Sequence, residues 1–317
     1  MSEAKRHHYL PVSYLRRFTK DGTDRGLLWL CDISTREIRA QTPLNTAVQG
    51  YYNAIEKKDG TRDNQIEKDL SVLEGQVVPI IDNIECGAPL TRAERRKLAF
   101  FVAVQKHRAP DFEKQVEMTE EAIMGRVGRM LYADHDKAKE VFARYERETG
   151  KVLGVPPKEL SEMFANRKVD VVVSRNASLQ IMVNQAPQIA DLLVQMEWAF
   201  FHAPDGETFV TSDQPFTLTA PPAASRTPPL GTYGILNPGC RKLFPLSPKV
   251  CLVIFDRGYG APHRLATADQ MNLINRTTAA DAYRYLIGRD EATVRKLAQI
   301  MDAAFGSKWG GTKFRID

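Results

Sequence analysis

Residues 177–219, ASLQIMVNQAPQIADLLVQMEWAFFHAPDGETFVTSDQPFTLT, change period part-way along, and that change decides the fold. A long helix is predicted over Ala177 to Met196 even though Pro187 stands in its middle. Beyond it, Trp198 to His202, Thr208 to Thr211 and Phe216 to Thr219 are short aromatic or β-branched runs punctuated by Pro and Gly, the pattern of strands. Val250 to Phe255 is a further run of the same kind.

Upstream, Gly26 to Ala40 reads as a hairpin, with Leu27, Leu28, Trp29, Leu30 and Ile33 on its first strand and Ser34-Thr35 at its turn. A third strand is predicted over Val48 to Ile55, followed by a turn at Lys57 to Gly60. Helical spacing then takes over: Ile66, Leu70, Leu73, Val77, Ile81 and Ile84 share a face. Thr91 with Glu94 makes a capping-box start for a helix that Ala109-Pro110 stops after Arg108. Charged helices follow from Phe112 to Glu148, and Gly150 to Pro157 reads as a loop. Downstream, residues 220–239 form a Pro-rich loop read as a lid or partner contact, and helices are predicted over Ala266 to Ile287 and Glu291 to Phe305. Strands at both ends around a helical middle, about residues 62–196, predict one α+β domain over residues 1–317, in which the amino-terminal hairpin completes a mostly antiparallel sheet built by the later strands.

The 317 residues carry 44 Lys plus Arg against 39 Asp plus Glu, a formal net charge of +5, so the placement of the cations matters more than their excess. They cluster at Lys5-Arg6, Arg16-Arg17, Arg92 to Lys97, Arg126 with Arg129, Arg241-Lys242 and Lys308 to Arg315. These clusters either line a groove for a polyanion or meet solvent. Cys31, Cys86, Cys240 and Cys251 have no short paired spacing, which predicts a reducing compartment. No apolar run is long enough for a bilayer, and no apolar stretch follows the first residues, so a cytoplasmic protein without membrane contact is expected.

The opening His7-His8-Tyr9-Leu10-Pro11-Val12-Ser13-Tyr14-Leu15-Arg16-Arg17-Phe18 resembles the His-His-x-x-Pro-x-x-Tyr-Leu-Arg-x-Phe opening of the bacterial domain-of-unknown-function family 4238. Further matching stretches are Gln105 to Pro110, Phe209 to Pro215, Phe244 to Pro248, and Asn272 with Asn275. The resemblance implies a shared architecture and a shared site, and names no reaction.

Among these residues, Asp213 is delivered with Ser212 and Gln214 to the end of a strand, where a carboxylate either orients a water or stabilises a sugar cation, or else caps its own turn. His7 and His8 point to opposite faces of an extended segment, so they are poor joint metal ligands but serve a site singly, or merely secure the terminal strand. Arg108 suits a phosphate or a buried carboxylate, Asn272 and Asn275 either read a base edge or tie loops, and Glu67 and Glu74 share a helical face.

The leading expectation is a DNA glycosylase that removes a modified base from foreign phage DNA in bacterial defence. Asp213, His7 and His8 would be catalytic, and Ser212, Gln214, Asn272, Asn275, Tyr14 and Gln105 would contact substrate. Arg16, Arg108, Arg241 and Lys242 would hold the nucleic-acid backbone, with no cofactor, no metal and no obligate protein partner. The alternatives are a non-catalytic module binding nucleic acid or a phage protein, and a metal-dependent nuclease built on Glu56 and Lys58 with Asp32.

Overall fold

A computed structural model describes residues 6–132, 134–152, 154–166, 174–219, 234–256 and 260–310. In chain order the amino-terminal part supplies β1 (Arg6–His8), α1 (Val12–Leu15), β2 (Leu28–Asp32), β3 (Glu37–Gln41), β4 (Val48–Gly50), β5 (Ile55–Glu56) and β6 (Arg62–Asp63). The helical middle holds α2 (Gln65–Glu85), α3 (Arg92–Arg108), α4 (Pro110–Tyr132), α5 (His135–Thr149), α6 (Pro157–Ala165) and α7 (Arg175–Gln195). Then come β7 (Glu197–His202), β8 (Thr211–Ser212), β9 (Thr217–Leu218), β10 (Lys242–Ser247), β11 (Val250–Phe255), β12 (His263–Leu265), α8 (Ala268–Asp281), β13 (Tyr285–Gly288) and α9 (Glu291–Phe305). The fold class is α+β, as expected. Two compact units emerge, residues 1–113 with 175–313 and residues 114–174 with 314–317, the first division falling inside α4.

In the larger unit the strands form two main sheets where one was predicted. The first has the order β12-β7-β11-β10-β9, antiparallel except for the parallel β12–β7 pair. The hairpin β2–β3 joins the second, β3-β2-β13-β8, which is antiparallel throughout. Alternation along β7 and β11 explains how the first sheet is covered on both faces. Trp198, Phe200, Leu252 and Ile254 pack with the core of α2, α3 and α7, whereas Ala199, Phe201, Cys251 and Val253 pack with Met271 and Ile274 of α8. Each such aliphatic or aromatic side chain, fully buried, contributes about 1.5–3 kcal/mol.

The capping box predicted for α3 is present: Thr91 Oγ1 accepts from the Glu94 amide, and the Glu94 carboxylate accepts from the Thr91 amide at 2.9 Å. Ala109 is extended and Pro110 opens α4, so the chain turns sharply between the two helices. The predicted third strand is split into β4 and β5, with Tyr51 between them at a positive φ of 53°. The helix expected over 266–287 ends at Asp281, because Tyr285 to Gly288 pair with both β2 and β8 and form an inner strand of the second sheet. Most of the Pro-rich loop, residues 220–233, and the cationic tail from residue 311 lie outside the described residues. No helix among the described residues is long and apolar enough to cross a membrane.

Candidate active site

The turn after β8 carries Asp213. Its amide donates to Tyr285 O at 3.0 Å, and its carboxylate accepts from the amides of Tyr283 (3.0 Å) and Arg284 (2.8 Å). The anticipated turn-capping by Asp213 is therefore not what occurs; the carboxylate instead grips the entry to β13, some seventy residues on. Ser212 makes the local turn, its hydroxyl donating to Gln214 O (2.9 Å) and accepting from the Gln214 amide (3.1 Å).

Asp213 is completely buried, and that burial pushes its carboxyl up to about 7 although three backbone hydrogen bonds pull the other way. The nearby Asp111 carboxylate pushes in the same direction as burial. Asp111 sits in the first turn of α4 and is itself buried. With its amide turned as its neighbours require, Gln214 donates to Asp111 Oδ2 (3.3 Å) and to Asp281 O (3.2 Å), linking the two carboxyl positions. The sequence alone does not single out Asp111, because an Asp after Pro at a helix start reads as an ordinary first-turn acid.

The amino-terminal segment closes the other side. Tyr9 is buried against the Tyr52 ring, 5.6 Å between centroids, and its phenol is pushed up by burial first and by the charge of Asp213 second. His7 is fully buried and His8 only partly so, in keeping with opposite faces of β1. His7 Nδ1 accepts from the Asn53 amide at 3.0 Å, which places the proton of the neutral ring on Nε2. Asn53 also donates to Glu67 Oε2 (2.6 Å) and, more weakly, to His8 O (3.4 Å). The His8 ring meets Leu44 O at 3.2 Å, and burial, ahead of the Arg108 and Arg6 charges, lowers its proton affinity.

Behind this segment Arg108 is buried, with Glu74 Oε1 at 2.6 Å, Glu67 Oε2 at 3.7 Å and the His8 carbonyl in close contact. A structural ion pair thus takes the place of the expected phosphate contact. Its carboxylates are Glu67 and Glu74, on one face of α2, and not Asp213. Gln105 shares the α3 face of Phe101 and Arg108, is 1% exposed, and neither atom of its amide has a hydrogen-bond partner among the described residues.

The remaining expected contacts are placed elsewhere. Tyr14 OH donates to Pro245 O (2.7 Å), so the Thr211 hydroxyl donates to Tyr14 (2.6 Å); both side chains are buried and the residue ties three segments together. Asn275 accepts from the Val210 amide (3.0 Å) and donates to Thr208 O (2.9 Å), tying the loop that leads into β8, while Asn272 is exposed. Lys242 is buried with its ammonium on Asp256 (2.5 Å) and Cys240 O (2.9 Å), which leaves it no path to a phosphate backbone. Arg241 lies over the Phe255 ring at 5.9 Å, and Arg16 is 3.8 Å from Asp24. Among the described residues no three His, Cys, Asp or Glu side chains gather as a metal-binding group.

The profile of the family described as "Protein of unknown function (DUF4238)" matches residues 6–292 of this chain. The chain belongs to the DUF4238 family. Neither a curated protein nor a solved structure matches it. In this DUF4238 protein the stretches that carried the resemblance are tied to one another: His8 to Arg108, Tyr14 to Thr211 and Pro245, and Asn275 to Val210. In the same DUF4238 chain the Arg284 amide donates to the Asp213 carboxylate and the Gln214 amide to the Ser212 hydroxyl.

Proposed function

We propose that this protein is a DNA glycosylase that hydrolyses the N-glycosidic bond of a modified base in foreign DNA, acting in the bacterial cytoplasm as a defence against phage. The observation that carries the reading is Asp213: a buried carboxyl titrating near neutrality, gripped by two backbone amides and faced by a second buried acid. A base works best when its proton affinity lies near the working pH, since it is then ionised often enough and still takes a proton readily.

In this mechanism Asp213 takes a proton from water while the water oxygen attacks C1′ of the sugar. The electrons of the C1′–N bond leave with the base, and the oxocarbenium-like state is stabilised by the Asp111 carboxylate. His7, whose Nε2–H is a hydrogen-bond donor, or His8 helps the base leave by hydrogen-bonding to it, and solvent supplies the proton that the base takes up. The products are a free base and an abasic sugar.

Asp213 is fully buried, so an extruded nucleotide reaches it only once the side chains that cover it move aside. Tyr285, partly exposed beside the site, and the exposed Arg284, whose guanidinium lies 4.9 Å from that ring, offer a stacking platform for an extruded base. Gln105 supplies an amide for the edge of the base.

The test is incubation of the purified protein, with and without chelator, with unmodified DNA and with phage DNA carrying hypermodified bases, followed by alkali. Alkali-dependent breaks that survive chelator are expected. Direct breaks lost in chelator would mean a nuclease, and intact DNA from every source would mean a binding module.

A further inference from the structure

A charged cavity stands apart from Asp213, which does not line it. It has a volume of about 360 Å³ and is lined by five cations, Arg16, Arg17, Lys20, Lys249 and Arg289. That volume falls at the lower end of small-molecule sites, roughly 300–1,000 Å³. Three carboxylates also line it, but each is engaged. Asp82 and Glu85 both face Arg17, at 2.8 and 3.5 Å, and Asp21 accepts from the Thr23 amide and from the hydroxyls of Thr19 and Thr23. Lys20, Lys249 and Arg289 have no carboxylate within ion-pair distance among the described residues, and Arg16 has only Asp24 at 3.8 Å.

The two guanidinium groups of Arg289 and Arg17, and the backbone at Lys249, are held in place. Arg289 donates to Lys20 O at 3.1 Å, which fixes its guanidinium against the loop that carries Lys20. Arg17 donates to Val78 O at 2.9 Å while it pairs with α2. Lys249 stands at the tight turn between β10 and β11, where its amide donates to Ser247 Oγ (3.1 Å). Three segments distant in sequence, residues 16–20, 249 and 289, therefore bring a guanidinium fork and two ammonium groups to one concave surface. That arrangement matches the three oxygens and the charge of a phosphate group.

We propose that this cavity is a phosphate-binding site, taking a phosphate group free, at a nucleic-acid end or within its backbone. The site goes beyond the reading of Asp213 and holds whichever bond the protein cleaves. In place of the buried Arg108 and Lys242, it assigns anion binding to Lys20, Lys249 and Arg289 together with Arg16.

The experiment is calorimetric titration of the full chain with three probes: inorganic phosphate, a 5′-phosphorylated oligonucleotide, and the same oligonucleotide with a 5′-hydroxyl. Wild type is compared with the Lys20→Gln/Lys249→Gln double variant and with Arg289→Gln. Both lysines are exposed, so the double variant keeps the wild-type melting temperature. At least a tenfold loss of affinity in the variants is expected for every probe that wild type binds. Preference for the 5′-phosphorylated strand assigns a terminal phosphate, equal binding of both strands assigns the backbone, and binding of inorganic phosphate alone assigns the free ion. Failure of all three probes to bind, or variants that bind as wild type does, would overturn the proposal. Asp213→Asn retains phosphate affinity, so this site and the glycosylase reading fail independently.

Discussion

Tyr14 and Thr211 share a 2.6 Å hydrogen bond across almost two hundred residues of sequence, and through it the amino-terminal segment is fastened to the strand that delivers Asp213. The same phenol donates to Pro245 O, so one side chain sets the distance between β8 and β10. Tyr14→Phe removes the hydroxyl and leaves Pro245 O buried without that donor. Leaving such groups unpaired costs about 1–3 kcal/mol. A lowered denaturation midpoint with an unchanged slope is expected, together with reduced activity because Asp213 is less firmly positioned.

Arg108 and Glu74 form a buried pair whose members depend on each other. Burial raises the proton affinity of Glu74 while Arg108 opposes it. Arg108→Met strands the carboxylate and takes a donor from His8 O, at a cost of roughly 3–5 kcal/mol. The loss should shrink as pH falls, because burial favours uptake of a proton by the stranded Glu74. Adding Glu74→Met should restore much of the stability, and a thermodynamic cycle over the four proteins measures this coupling.

The titration of Asp213 makes stability depend on pH with a definite sign. Its folded-state pKa, about 7, lies above the ordinary value of 3.8. Between these values the unfolded chain loses the proton while the folded chain keeps it, so stability falls as pH rises from about 4 to 7, by on the order of 3–4 kcal/mol. Melting temperatures across that range should decline in wild type. Base release should instead rise with pH toward a plateau above about 7, because the ionised carboxyl is the active form.

Gln105 carries a buried amide without a partner among the described residues, a group that costs stability wherever it is not used. Gln105→Met keeps the volume and removes that cost. An unchanged or higher melting temperature with a raised KM is expected. A lower melting temperature with unchanged kinetics would instead make Gln105 a structural residue.

The α+β class and the helical middle were legible because period carries them: Leu70, Val77, Ile81 and Ile84 at helical steps, and alternation along Trp198 to His202. β13 was not, since Tyr285-Leu286-Ile287 simply continues the apolar run of the preceding helix, and its partner β2 lies about 250 residues away. Asp213 stood out as a carboxylate at a strand end, yet its grip on the Tyr283 and Arg284 amides depends on that same distant pairing. Asp111 is revealed only by the fold, which brings the Gln214 amide to its carboxylate. Lys242 looked like a surface cation because nothing local reveals Asp256 fourteen residues further on.

The central claim, that the Asp213 carboxyl is the base for glycosidic cleavage, is tested most directly by measuring free base released from hypermodified phage DNA. Wild type and Asp213→Asn are compared at equal folded fraction and pH 8. A loss of at least about 100-fold is predicted, in line with the contribution of a positioned general base. Equal release by the two proteins would contradict the account.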